Sequence, residues 1–248
     1  MTSKEYFDRA TLAEIWSGWI FIGVLALSLT ALIVPQAGVQ DIVNPLLIAI
    51  CIIGVAVSAI GSFCQNEGNQ LLRATQLTNA FDVPIGTTAR SDYYNNLFPP
   101  SVDRLAATTF ENSLFTSTVL NVMLKKVRLK IAGYIFVFIL LMAFRWSSTN
   151  TLLLFAQTVF SVDVVWHWLR MERFLMRACR VKRELHQLFM HGGIAGDKKG
   201  FAIALAAFSN YECAKDEAAM PLDGKIFEKI NIQATKEWDE LRARLNIP

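Results

Sequence analysis

No two of the four cysteines stand at redox or ligand spacing. Cys51, Cys64, Cys179 and Cys213 are scattered, as reduced cytoplasmic or intramembrane thiols are. The three histidines, His167, His186 and His191, lack the Cys or carboxylate company of a zinc site. There is no GxSxG, no HExxH and no DFG-like set. The glycine-rich stretch 191–200 lacks a Gly-Lys-Ser/Thr ending, and no strand-like segment precedes it. It reads as a surface loop rather than a phosphate loop. These absences argue against an enzyme, a cofactor and a bound metal. A net charge of only +3 gives no reason to expect DNA or RNA as a partner. Alternating strand patterns, internal repeats and low-complexity tracts are missing too.

What the sequence does have is apolar length. Of its 248 residues 53% are hydrophobic, more than an ordinary soluble domain carries and less than a chain wholly buried in lipid. A helical span needs roughly 20 mostly apolar residues. Residues 15–34 carry no charge, have no small-residue cleavage site after them, and read as a retained span. Residues 45–64 are equally clean. A third span, 129–146, is shorter, with Lys130 and Arg145 placed to snorkel at its ends. The fourth, 151–169, contains one charge, Asp163. The expected fold is therefore an all-α integral membrane protein with four transmembrane helices and helical cytoplasmic extensions. Its parts are 1–64 (N-terminal segment and spans 1 and 2), 65–128 (a connecting region), 129–169 (spans 3 and 4) and 170–248 (a helical tail).

Charge orients the spans. Of 24 Lys and Arg residues, 23 fall in the N-terminal segment, the 65–130 connection or the tail, and only Arg145 falls between spans 3 and 4. The positive-inside rule puts both termini and the long connection in the cytoplasm.

Past the second span the helical pattern continues to Phe81, where Asp82, Pro84 and Gly86 break it. Ser101 and Asp103 are placed to cap a helix that runs into the third span. The fourth span extends likewise to Met190. Two more helices are expected, near 201–218 and 223–245, split by Pro221. The apolar run 201–208 is too short to cross a bilayer and should pack on the stalk.

Several residues invite a functional reading. Asp163 is an ionisable group inside a span, and His167 lies one turn away. The carboxylate is either structural glue between helices or part of a water-filled lumen. Gly54, Ser58 and Ser62 lie four apart on the second span, either as a close-packing seam or as a weakly polar pore stripe. Gln157 and Ser161 extend that ambiguity to the fourth span. The basic run Arg170, Arg173, Arg177, Arg180, Lys182 and Arg183 sits just inside the membrane. It is a topology signal that also meets anionic lipid, or a site for a nucleotide second messenger.

Three stretches and the span layout carry a family resemblance. One holds Arg73, Gln76 and the pair Phe81-Asp82. The second runs from Tyr93 to Pro100 and on to Glu111-Asn112. The third holds Tyr211-Glu212, Met220-Pro221 and Phe227. With four spans and a long second connection, the chain resembles the SMODS-associated four-transmembrane pore-forming effectors of bacterial antiphage (CBASS-type) defence. The resemblance implies a homo-oligomer in the bacterial inner membrane. It also implies a cyclic oligonucleotide as possible ligand, and membrane permeabilisation when triggered. The rival expectations are a constitutive small channel or transporter, and a non-conducting scaffold or sensor that recruits a cytoplasmic partner.

Overall fold

The computed structural model describes residues 2–33, 37–85, 97–143, 162–194 and 197–248. The described residues form six helices and no strand. They are α1 (Ser3–Ile33), α2 (Ala37–Phe81), α3 (Val102–Ala143), α4 (Val162–Met190), α5 (Lys198–Ala218) and α6 (Gly224–Arg244). The all-helical class expected from the sequence is what the chain adopts.

Local chemistry explains the helix ends. Ser101 Oγ accepts from the backbone N–H of Arg104 at 3.3 Å and caps α3. Asp197 caps α5 through Lys199 N. Asp223 caps α6 through Lys225 N and Ile226 N. Gly192 and Gly193, at φ 93° and 76°, close α4: their N–H groups donate to the carbonyls of Phe189 and Leu188, each at 3.1 Å. That pairing is a Schellman cap, which needs a left-handed residue and hence glycine. Gly192 and Gly193 therefore serve to end a helix.

Two helices are long and apolar enough to cross a membrane by length and composition, α1 over Ser3–Ser28 and α2 over Gly38–Phe81. A core helix of a soluble protein has the same composition but is buried. Here Ile52 and Val55 are 65% and 72% exposed, and Trp16 and Trp19 are bare as well. Burying each such side chain is worth about 1.5–3 kcal/mol, so this surface calls for an apolar medium or a partner. Helix α2 begins at Ala37, earlier than the span expected from Pro45, and holds Pro45 inside it. An interior proline removes one N–H···O=C bond, which a helix of 45 residues tolerates. Residues 144–161, which hold the end of the third expected span and the first part of the fourth, lie outside the described residues. On the described part of the third, Phe136, Ile139 and Met142 are exposed.

The apolar core lies elsewhere. It is drawn from α3, α4, α5, α6 and the C-terminus, around Phe110, Leu120, Leu124, Met171, Leu185 and Trp238. Phe110 is its centre, stacked on Phe189 at 6.1 Å and edge-on to Trp238 at 5.4 Å. Helix α5 enters through small residues, Gly200, Ala204 and Ala207, which are buried, while Phe201 stays exposed. Among the described residues no side chain of α1 or α2 belongs to this core. Instead α1 packs along α2. A Cβ built on Gly61 would stand 2.9 Å from Ala13 Cβ, and one on Gly68 2.9 Å from the Phe7 ring.

Candidate functional site: a polar seam between the hairpin and the bundle

Beyond Phe63 the surface of α2 changes character. Gln65, Asn69, Gln76 and Asn79 recur at helical spacing and are buried. Helix α3 carries equally buried hydroxyls, including Thr108, Thr109, Ser113 and Thr116. Gln76 Nε2 donates to Thr109 Oγ1 at 3.1 Å, and Asn112 Nδ2 donates to Gln76 Oε1 at 3.5 Å. Arg104 donates to Asn79 Oδ1 at 2.9 Å, and Ser101 N to Ala80 O at 2.9 Å. The α1–α2 hairpin is thus joined to the α3–α6 bundle through polar groups.

A charged cluster ends the seam on its α5 side. Arg73 Nε donates to Glu212 at 3.0 Å, and its other arm pairs with Asp216. Lys215 reaches Glu212 at 2.7 Å, and Asn69 Nδ2 donates to Asp216 at 3.2 Å. Burial pulls the Arg73 guanidinium down, but the hydrogen bonds to Asp216 and Glu212 outweigh it and leave it raised. Asn66, Gln70, Arg73, Ala74, Leu77, Ile85 and Asp216 line an open cleft of ≈ 450 Å³ beside this cluster. Among the described residues, three buried polar atoms of the seam find no hydrogen-bond partner: Gln65 Oε1, Asn79 Nδ2 and Arg104 Nε. An orphaned buried group costs about 1–3 kcal/mol, so the docked interface is not fully satisfied.

Residues from three separate parts of the chain meet at this seam. Arg73 and Gln76 come from the first, Asn112 from the second, and Tyr211-Glu212 from the third. Tyr211 OH lies 2.8 Å from Thr116 Oγ1 and donates to Asn112 O at 3.4 Å.

The residues singled out from the sequence distribute differently. Gly54 sits against α1, where an added Cβ would meet Ile20 Cγ2 at 3.2 Å. Ser62 is half-buried, and Ser58 is exposed within the chain. Gln157 and Ser161 lie outside the described residues. Asp163 lies in the first turn of α4, and its side chain falls outside the description; His167 is half-buried on the same helix. The basic run of α4 splits. Arg177 pairs with Glu217 at 2.8 Å, Arg173 lies over the Trp166 ring, and Arg170 is half-buried. Arg180 and Arg183 are exposed, and Lys182 is half-buried. Among the described residues no group of three His, Cys, Asp or Glu side chains is placed to hold a metal ion.

Sequence reasoning passed over Arg73, Glu212 and Asp216 as a cluster. The signal available was a lone arginine inside an otherwise uncharged polar helix face, with two acids one turn apart on α5. No family model, no curated protein and no solved structure matches this chain.

Proposed function

We propose that the chain is an oligomeric inner-membrane effector of antiviral defence that permeabilises the membrane when triggered. The observation that carries the reading is the two-body construction. An apolar, unburied hairpin runs into the cytoplasmic bundle as one continuous helix and docks there through a polar, partly unsatisfied seam. Polar contacts exchange readily with water, so undocking costs far less than opening an apolar core. That supports a triggered device over an always-open one. In this reading four helices span the bilayer, both termini are cytoplasmic, and 23 of 24 basic residues lie inside. The exposed α1–α2 face meets lipid and further copies of the chain. A cyclic oligonucleotide, the trigger the resemblance implies, would act on the cytoplasmic side. An unpaired carboxylate facing lipid would be strongly disfavoured, so Asp163 is assigned to protein or water, and in this reading to the lumen.

A potential-sensitive dye in cells with induced expression tests this. An effector depolarises the membrane only on triggering by phage infection. A constitutive channel depolarises at once, and a scaffold never does. At matched expression, Asp163→Asn should preserve assembly and alter the depolarisation. Equal depolarisation by the variant and the wild type would return Asp163 to a structural role.

A further inference from the structure

Cationic and aromatic side chains gather where α3 and α4 leave the packed bundle. Arg128 Nε and Glu172 Oε1 join the two helices at 2.7 Å, and Trp168 Nε1 donates to Glu172 at 2.9 Å. The hydrogen bond from Arg128 holds the Glu172 carboxyl below its ordinary range. This clamp sets the register of what surrounds it. Lys130 lies 5.7 Å from the ring centre of Tyr134 on α3, and Arg173 lies 5.1 Å from that of Trp166 on α4. Lys125 and Lys126 are exposed nearby on α3. Arg170 is half-buried, and its Nε is buried without an acceptor. Among the described residues, none of Lys125, Lys126, Lys130 and Arg173 has an ion-pair partner, while Arg170 lies within electrostatic reach of Glu14. One to two turns further along α3, the exposed side chains become Ile135, Phe136, Ile139 and Met142.

We infer that this collar seats the phosphate headgroups of anionic phospholipids, and that the basic residues further along α4 do not. The inference rests on the membrane reading above. Unpaired cations beside an exposed apolar surface match a lipid, which presents a phosphate next to hydrocarbon. A soluble phosphate has no use for that apolar flank. Tyr and Trp rings settle at the headgroup level, and the Lys and Arg stems reach it by snorkelling. Distance excludes the rest of the run. Arg177 is neutralised by Glu217. Arg180 lies seven residues past Arg173, about 10 Å along the helix. That exceeds the screening length of about 8 Å at physiological salt. Attraction to an anionic surface fades within that length.

The full chain in bilayer nanodiscs of mixed phosphatidylcholine and phosphatidylglycerol provides the test, with retained lipids identified by native mass spectrometry. Wild type should hold phosphatidylglycerol in excess of its share of the bilayer. Combining Lys125→Gln, Lys126→Gln, Lys130→Gln and Arg173→Gln should cut that preference by tenfold or more, given about fivefold per charge near the surface. All four side chains are exposed, so helix content by circular dichroism should hold. Arg180→Gln, Lys182→Gln and Arg183→Gln together should leave the preference intact. Equal losses in the two variants would overturn the collar, as would a wild type with no preference. Alkaline carbonate extraction separates the premises. A chain that resists extraction but shows no lipid preference defeats the collar alone, whereas a chain that is extracted defeats the membrane reading and the collar together.

Discussion

Glu111 on α3 is mostly buried, and its Oε2 is out of water with no hydrogen-bond partner among the described residues. Burial raises its pKa from 4.5 to about 7; Arg242 on α6 pulls it down and Asp239 pushes it up by lesser amounts. Between those two values the folded chain binds more protons at this site than the unfolded chain. Stability from this group is therefore full below pH 4.5 and is lost as pH rises towards 7. The swing is at most about 3 kcal/mol, at 1.36 kcal/mol per unit. Glu111→Gln is neutral throughout. Melting curves at about pH 5 and about pH 8 should show wild type weakening with pH and the variant much less so. Parallel slopes would remove Glu111 as the cause. Nothing in the sequence flagged this residue beyond its place in the resemblance. A glutamate on a helix reads as solvent-facing until α6 is seen folded over it. The glycines at 192 and 193 were legible in the opposite sense, since the missing Lys-Ser/Thr ending already argued for a turn.

At the scale of elements, most helix boundaries could be read in advance. The chemistry that sets them is local: Ser101 as a cap, Asp82 and Pro84 as breakers, Pro221 between α5 and α6. The packing seam of the hairpin was harder. Gly54, Ser58 and Ser62 step by four, while Gly54, Gly61 and Gly68 step by seven, and both series are in the sequence. The partner helix decides between them. Ile20, Ala13 and Phe7 of α1 meet Gly54, Gly61 and Gly68 in turn, a near-heptad match between antiparallel helices. This register gives a sharp prediction. Gly61→Val puts a Cβ 2.9 Å from Ala13 Cβ, where carbons prefer about 3.5–4.0 Å. The helices must part, at about 1–3 kcal/mol. Gly18→Val adds the same side chain where nothing lies within 4 Å. Thermal melts in detergent should show a lower Tm for Gly61→Val and little change for Gly18→Val. Equal Tm values for the two would mean that α1 and α2 do not meet along this seam.

At the scale of the whole molecule, the division into hairpin and bundle is the feature that sequence alone hid. Gln76, Thr109 and Asn112 look like a solvated helix face, and pairing across 33 or 36 residues leaves no periodic trace. Yet the division is what makes a trigger physically reasonable. Helix α2 is about 68 Å long at 1.5 Å per residue, more than twice the hydrocarbon thickness of about 30 Å. In the proposed reading, a movement at the bundle end of α2 is carried into the bilayer by one stiff rod. If release of the seam opens the membrane path, fixing the seam should keep it closed. Gln76→Cys with Thr109→Cys places two thiols where an amide now reaches a hydroxyl at 3.1 Å. Cys51, Cys64, Cys179 and Cys213 are free and would first be changed to serine or alanine. A small diffusible oxidant should then join α2 to α3 in the docked state through a disulfide between the two introduced thiols. Cross-linked cells should fail to depolarise on triggering, while each single-cysteine variant treated identically should depolarise at least as readily as the cysteine-free parent. Untreated double-cysteine cells lose two hydrogen bonds of the seam, Gln76 to Thr109 and Asn112 to Gln76, each worth about 0.5–1.5 kcal/mol, and should be triggered more readily than the parent. The two results have opposite signs, so a general loss of folding cannot produce both. Full depolarisation with the cross-link in place would mean that the hairpin acts without leaving the bundle.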